Sequence, residues 1–172
     1  MRLFLYGFIG VFIATANAAR PAALELPKET HGKIIALSRK ADGLAGQGQY
    51  ADAIQVYMQA VKLLPQPTHD WEAATWLWVA IGDAHFLAKN YVQARSALSE
   101  AMRCPGALGN PFIHLRLGQT QFELGNMQRA GDELARAYLQ EGKAIFKAED
   151  PKYLGFIKSK LKPPPGGWPA GW

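Results

Sequence analysis

One spacing of small and large residues occurs three times along the chain. Ala53, Ala94 and Ala130 lie 41 and 36 residues apart. Each is followed four positions later by a large residue and three positions after that by alanine: Tyr57 and Ala60, Leu98 and Ala101, Leu134 and Ala137. Each is also preceded, twelve positions earlier, by a small residue: Ala41, Gly82 and Gly118. Small residues let two helix backbones approach closely, and neither helix of such a pair can bury its apolar face alone. The spacing therefore predicts three helix pairs that stack side by side.

Apolar periodicity and turn residues predict the helix boundaries. Six helices are expected in three pairs: 31–47 with 50–64, a helix ending near 88 with 92–103, and 111–124 with 127–141. A seventh is expected over 151–161. Asn110-Pro111 and Asp150-Pro151 predict two of the starts, because a capping side chain precedes a proline at the first helical position. Thr68 and Asp70 are predicted caps of the third helix. No stretch alternates apolar and polar residues as a strand does, so no sheet is expected.

The first 18 residues have the organisation of a secretory signal peptide. Met1-Arg2 supplies a positive charge, residues 3–13 are an apolar run, and Ala16-Asn17-Ala18 is a small-x-small cleavage motif. The run is too short to span a bilayer as a stable helix, although an uncleaved N-terminal anchor is the alternative. Cleavage after Ala18 predicts a periplasmic or secreted protein without stable membrane insertion. Residues 19–30 are predicted to be a linker, 31–162 the folded domain and 163–172 a tail rich in proline, glycine and tryptophan.

Composition and motifs exclude several classes of function. The net charge of +5 is mild and its basic residues are scattered, so no nucleic-acid partner is expected. The four histidines are dispersed, and Cys104 has no second cysteine with which to form a disulfide or a zinc site. We expect Cys104 to be a small buried apolar residue rather than a reactive thiol. No catalytic or phosphate-binding motif is present, so we expect neither a metal, nor a cofactor, nor an enzyme.

The three units resemble the tetratricopeptide repeat, a helix pair whose period is 34 residues. The resemblance covers residues 34–141 and implies an all-α, right-handed solenoid of three helix pairs, completed here by a C-terminal capping helix. The first interval is longer than the period, His85 lies where the family usually has tyrosine, and the third unit lacks the closing proline. Another array of α-hairpins is the structural alternative.

This resemblance also implies a surface that binds another protein, because the first helices of successive units line a concave face. Transfer of the family's groove positions gives the expected partner-binding residues: Ser38 and Asp42 in the first unit; Trp76, Val79, Asp83 and Phe86 in the second; Phe112, Leu115, Gln119, Phe122 and Glu123 in the third. Leu87 follows them in the second unit, and Trp76 is expected to be an exposed anchor. Alternatively, the last helix covers part of this face, and Phe122 and Leu115 then belong to the core.

The C-terminal ending suggests a more specific function. Residues 150–154 and 162–168 are similar to the ending of small tetratricopeptide proteins that are encoded beside bacterial polymorphic or type VI secretion toxins and are taken to be immunity proteins. The similarity implies a periplasmic protein that binds and neutralises a secreted toxin. Two alternatives remain open: a scaffold or assembly factor for a cell-envelope complex, and a glycan- or peptidoglycan-binding module that stacks sugars on Trp71, Trp76 and Trp168. The tail over 163–172 either caps the fold or binds a ligand.

Overall fold

The computed structural model describes residues 25–163 and 165–167, and within these ranges it contains helices and no strand. The predicted signal peptide and the tryptophans of the tail lie outside the described residues. Seven α-helices are formed in the described part of the chain: α1 Lys28–Gly46, α2 Tyr50–Val61, α3 Glu72–Leu87, α4 Tyr91–Ala101, α5 Pro111–Glu123, α6 Met127–Glu141 and α7 Pro151–Lys160. Short 3₁₀ helices occur at Thr68–Asp70, Ala107–Gly109 and Gly142–Phe146. None of the described helices is long and apolar enough to cross a membrane.

The helices pack as three successive hairpins. α1 packs on α2, α3 on α4 and α5 on α6, while α2 also contacts α3 and α4 contacts α5. The first helices of the second and third units, α3 and α5, touch each other as well. This arrangement confirms the predicted stack of three helix pairs.

Two glycines explain the repeated small residues. An alanine Cβ at position 82 would lie 2.6 Å from Leu98 Cγ. At position 118 it would lie 2.7 Å from Leu134 Cγ and 2.9 Å from the backbone nitrogen of Leu134. Real Cβ atoms do not approach other atoms this closely. The two helices of each pair can therefore come into contact here only because glycine has no side chain. The glycines therefore set the distance between the helices of the second and third pairs.

The turns inside the three pairs share one backbone conformation. Gly48 and Gly125 have φ angles of 78° and 77°, and Lys89 has a φ of 61° at the equivalent position of the second pair. Glycine takes this left-handed conformation without steric cost, whereas a residue with a Cβ is strained in it. The turn of the second pair is thus formed with a residue, Lys89, that is poorly suited to this conformation.

Two of the predicted helix caps are formed and two are wrong. The Asn110 carboxamide oxygen accepts hydrogen bonds from the backbone N–H groups of Phe112 (3.0 Å) and Ile113 (3.3 Å). Asp150 accepts one from the N–H of Lys152 at 2.9 Å. Thr68 and Asp70, in contrast, form a 3₁₀ turn and do not cap α3.

The observed starts of α1 and α3 differ from the predicted ones, and both lack a capping side chain. α3 begins after Trp71, whose indole N–H donates to the carbonyl oxygen of Pro65 at 2.8 Å and holds the connection in place. α1 begins at Lys28, directly after Pro27, so residues 28–30 are helical rather than part of the predicted linker. Neither start has a side-chain capping hydrogen bond, although each helix carries a glutamate in its first turn, Glu29 in α1 and Glu72 in α3.

The segment after α6 closes the end of the stack. Phe146, Tyr153 and Ile157 are buried and form one cluster with apolar residues of the third unit: Leu115, Leu134 and Ala137. The 3₁₀ helix Gly142–Phe146 touches both α5 and α6, and α7 packs on α6. We refer to residues 142–160 as the C-terminal segment.

Candidate functional site

The predicted groove residues of α3 lie on one face of that helix. Trp76, Val79, Asp83 and Phe86 are separated by three, four and three residues, which places them in one row along the helix. Asp42 and Ser38 occupy the equivalent face of α1, and Phe112, Leu115, Gln119, Phe122 and Glu123 the equivalent face of α5. The exposure of these residues differs between the three units.

The third unit of this face is covered by the chain itself. Leu115 and Gln119 are only 1% and 0% exposed, so neither side chain can contact a partner. The ring of Phe122 packs edge-on against Tyr153 and Phe156, with centroid distances of 5.5 and 5.1 Å. The prediction of an open groove at Leu115, Gln119 and Phe122 is therefore corrected: the C-terminal segment occupies that place.

Polar contacts fix the C-terminal segment on the same unit. The Tyr153 hydroxyl donates to Glu123 Oε1 at 2.7 Å, and Lys152 Nζ lies 2.7 Å from the same oxygen. Burial acts to raise the pKa of Glu123, but the hydrogen bonds from Lys152 and Tyr153 outweigh it and lower the pKa. Glu123 is thus half-buried and already has two partners within the protein.

Arg116 joins the second unit, the third unit and the C-terminal segment. Its Nε lies 2.6 Å from Asp83 Oδ1. Its Nη1 donates to Gln119 Oε1 at 2.7 Å and to Glu149 Oε2 at 3.2 Å. Gln119 Nε2 donates to the same Glu149 oxygen at 2.9 Å. Arg116 Nε and Asp83 Oδ1 are both buried, and they contact each other as an ion pair without hydrogen-bond geometry.

Two aromatic rings surround this guanidinium. Arg116 Cζ lies 4.4 Å from the ring centroid of Phe86 and 5.2 Å from that of Phe112, distances at which a cation is attracted to the ring face. Phe86 and Phe112 are each half-buried. Burial raises the pKa of Asp83, and Glu149 adds to this effect while Arg116 opposes it.

Sequence reasoning missed Arg116 and Glu149. Neither residue occurs in a motif, and the Glu149-Asp150 pair suggests a cap for α7, a role that only Asp150 performs. Their contact joins positions 33 residues apart, which no local pattern reveals.

The first unit offers a smaller surface than expected. Ser38 is buried, and its hydroxyl donates to the carbonyl oxygen of Ile34 at 2.8 Å, so its assignment to the groove is corrected as well. A helix interior accommodates such a serine by bonding it back to the preceding turn. Asp42 remains exposed and accepts a hydrogen bond from the Tyr57 hydroxyl.

The part of the face that stays accessible spans the first two units. We call it the open face and define it by six residues: Asp42, Trp76, Val79, Asp83, Phe86 and Leu87. Leu87 is 43% exposed. Trp76 is half-buried against the core of the first two units, so it is less exposed than the predicted anchor.

Two of the three tryptophans in the alternative sugar-stacking prediction, Trp71 and Trp76, are half-buried. Trp71 and Trp76 both pack against the core of the first two units, and the indole N–H of Trp71 is bound to Pro65. Trp168 lies outside the described residues. Within the described ranges, no three His, Cys, Asp or Glu side chains are grouped in a way that could hold a metal ion.

Several solved structures resemble this chain over most of its length. The second TPR domain of human RPAP3, in complex with the HSP70 peptide SGPTIEEVD, matches 77% of this chain and 99% of its own at a TM-score of 0.58 and 18% identity. The Yersinia enterocolitica type III secretion chaperone SycD, in complex with a peptide of the translocator YopD, matches 77% and 95% at a TM-score of 0.61 and 15% identity. The Arabidopsis OM64 TPR domain matches 77% and 99% at a TM-score of 0.62 and 16% identity. No family model and no curated protein matches the sequence. The structural matches confirm the fold that the repeat spacing predicts.

Proposed function

We propose, from the tetratricopeptide-repeat fold of this chain, that it is a non-enzymatic protein-interaction module whose open face binds a segment of another protein. One observation supports this most directly. The C-terminal segment covers Leu115, Gln119 and Phe122 of the third unit, yet on the equivalent face of the second unit Leu87 is exposed. Trp76, Val79 and Phe86 beside it are only half-buried. Clustered apolar residues on an accessible surface mark contact sites, and aromatic residues supply much of the binding energy at interfaces.

The known complexes of similar structures are consistent with this proposal. The RPAP3 domain and SycD were both solved with a peptide of another protein. Because the fold builds a concave face from successive first helices, the same use of that face is the simplest function for this chain.

The proposal is tested by two matched leucine variants. Leu87 is 43% exposed on the open face, and Leu139 is 77% exposed on α6. Immobilised protein is used to capture partners from an envelope extract of the source organism, and bound proteins are quantified by mass spectrometry. Leu87→Arg should abolish capture of a specific partner, because it places a charge in an apolar contact, whereas Leu139→Arg should retain it. Equal capture by the wild type and Leu87→Arg would contradict the proposal.

We further propose that the protein is exported and meets its partner outside the cytoplasm. The signal-like sequence at residues 1–18 supports export, so the partner is met in the periplasm or outside the cell. Fractionation of cells that express the tagged protein, followed by N-terminal sequencing, tests this: the mature chain should begin at Ala19. Recovery of an intact Met1 terminus in the cytoplasm would contradict it.

We further propose that the partner is a secreted toxin which this protein neutralises. The similarity of the C-terminal ending to toxin-associated immunity proteins supports this version. Co-expression with a candidate toxin encoded beside the gene should restore growth, and Leu87→Arg should lose that protection while Leu139→Arg keeps it. Binding without protection would instead support a scaffold of an envelope complex.

A further inference from the structure

The open face is acidic although the protein as a whole carries a net charge of +5. Asp42 and Asp83 come from different helices, and both carboxylates act on the Tyr57 hydroxyl. The hydroxyl donates to Asp42, and both carboxylates contribute to a raised pKa of Tyr57, for which burial is the main cause. Among the described residues, Asp42 forms no ion pair, so its negative charge is not neutralised within the protein.

The two cations that pair with carboxylates on this side of the protein, Arg116 and Lys152, do not pair with Asp42. The single guanidinium of Arg116 is shared between Asp83 (2.6 Å) and Glu149 (3.2 Å). On the other side of the third unit, Lys152 is likewise shared between Glu123 (2.7 Å) and Asp150 (3.6 Å). Each of these two cations thus faces two carboxylates, and Asp42 adds a further exposed carboxylate that forms no ion pair among the described residues.

Apolar side chains lie directly beside these carboxylates. Val79 and Phe86 flank Asp83 on α3 at one helical turn in each direction, and Trp76 lies one turn beyond Val79. Lysine and arginine side chains suit such a surface, because their aliphatic stems cover apolar groups while the charged head reaches a carboxylate.

We propose that the partner segment recognised by the open face is cationic, with lysine or arginine side chains set among apolar residues. The inference rests on the proposed function of this face and adds the chemistry of what it binds. A cation on the segment reaches Asp42 and the outer edge of Asp83, and the neighbouring apolar residues cover Val79 and Phe86. Opposite charges also steer association and penalise acidic competitors.

This preferred charge is opposite in sign to that of the peptides bound by two similar domains. The RPAP3 domains were solved with SGPTIEEVD and SRMEEVD, which each contain two glutamates and an aspartate. Like charges placed against one another at an interface are unfavourable, so such peptides should be rejected here.

Fluorescence polarisation with three labelled peptides tests the proposal: the acidic SGPTIEEVD, a neutral SGPTISSVS and a cationic SGPTIKKVK. Exposed ion pairs contribute up to about fivefold each in affinity, so two such pairs should make the cationic peptide bind more tightly than the neutral one by a factor of about 2 to 25. The acidic peptide should bind most weakly. Raising the ionic strength should weaken only the binding of the cationic peptide, since salt screens exposed charges.

Matched variants assign the effect to the open face. Asp42→Lys should weaken binding of the cationic peptide about tenfold. Asp52→Lys makes the same change of charge at an exposed position of α2 and should leave binding unchanged. Asp42→Asn keeps an oxygen that can accept the Tyr57 hydrogen bond while removing the charge, and should weaken binding about threefold.

The outcomes separate this inference from the proposed function. Equal or tighter binding of the acidic peptide, no binding of the cationic peptide, or an equal effect of Asp52→Lys would each overturn the inference. If a neutral or acidic peptide binds and Leu87→Arg abolishes that binding, the open face is still a binding site and only its charge preference is refuted. If Leu87→Arg changes neither peptide binding nor partner capture, the proposed function itself fails.

Discussion

Replacing Gly118 with alanine tests the close approach of α5 and α6. The new Cβ would lie 2.7 Å from Leu134 Cγ, 2.9 Å from the Leu134 backbone nitrogen and 3.0 Å from Leu134 Cδ2. Leu134 is completely buried, so its side chain has no free space into which it can turn. The contact with the backbone nitrogen cannot be relieved by any rotamer, and the two helices must therefore move apart.

The expected cost is the difference between two opposing terms. Alanine is favoured over glycine in a helix interior by about 1 kcal/mol. Overpacking a well-packed core typically lowers the free energy of unfolding by about 1–3 kcal/mol. A substitution that forces the backbone to shift should cost about 3 kcal/mol or more. Gly118→Ala should therefore lower the free energy of unfolding by about 2 kcal/mol. Gly82→Ala should cost less, about 1 kcal/mol, because the Leu98 backbone nitrogen would be 3.4 Å away and only side-chain atoms are closer.

Urea unfolding followed by the helical circular dichroism signal measures these differences. Gly43→Ala in α1 is the matched control, since nothing lies within 4 Å of its added Cβ. It should raise the free energy of unfolding by about 0.5–1 kcal/mol through helix propensity alone. The three variants are thus expected to rank in the order Gly43→Ala, Gly82→Ala and Gly118→Ala, from stabilised to most destabilised.

A second measurement separates side-chain contacts from backbone contacts. With Leu98→Ala in place, Gly82→Ala should no longer be unfavourable, because the two atoms closest to its Cβ have been removed. With Leu134→Ala in place, Gly118→Ala should remain unfavourable because the nitrogen at 2.9 Å is still there. If Gly118→Ala were as stabilising as Gly43→Ala, the close approach of α5 and α6 would be refuted.

Four further variants or reactions test other local features, three of them by urea unfolding. Lys89→Gly should raise the free energy of unfolding by about 0.5–1 kcal/mol, because it removes a Cβ from a left-handed turn position with a φ of 61°. Asn110→Ala should lower it by about 1–2 kcal/mol, since two backbone N–H groups of α5 lose their acceptor. Arg116→Met should lower it by about 3–5 kcal/mol because two carboxylates lose their shared counter-charge, and a change below about 1 kcal/mol would contradict the geometry. Burial raises the pKa of the Cys104 thiol to about 11, so at pH 8 the folded protein should react with a disulfide reagent about a hundredfold more slowly than the urea-unfolded chain.

The sequence predicts the fold well because its strongest signals are local. Asn110-Pro111 and Asp150-Pro151 mark the starts of α5 and α7 without reference to the rest of the protein, and both caps are formed. Gly82 and Gly118 likewise predict close helix contacts from their spacing in the sequence alone, since only a small residue fits where the helices touch. The predicted caps of α3 are wrong because Thr68 and Asp70 form a separate 3₁₀ turn, and the helix begins after Trp71 without a capping side chain.

The candidate site is harder to predict because its exposure is decided by distant residues. Val79 and Leu115 occupy equivalent positions of the second and third units, and repeat register alone treats them alike. Leu115 is buried because the C-terminal segment packs over it, whereas Val79 stays half-buried. The charge of the open face is equally non-local: Arg116 and Glu149 are 33 residues apart, and because of their contact Asp83 shares its counter-charge with a second carboxylate.

Coverage of the third unit also limits the length of a bound segment. Packed helices lie about 8–10 Å apart, so a face that spans only α1 and α3 is roughly 20 Å across. An extended chain advances about 3.3 Å per residue, and about six residues therefore cross the open face. So short a segment buries few apolar side chains, and ionic contacts then contribute a larger share of its affinity than in a long interface. If the open face is the whole binding site, extending a bound segment beyond about six residues should therefore not raise its affinity.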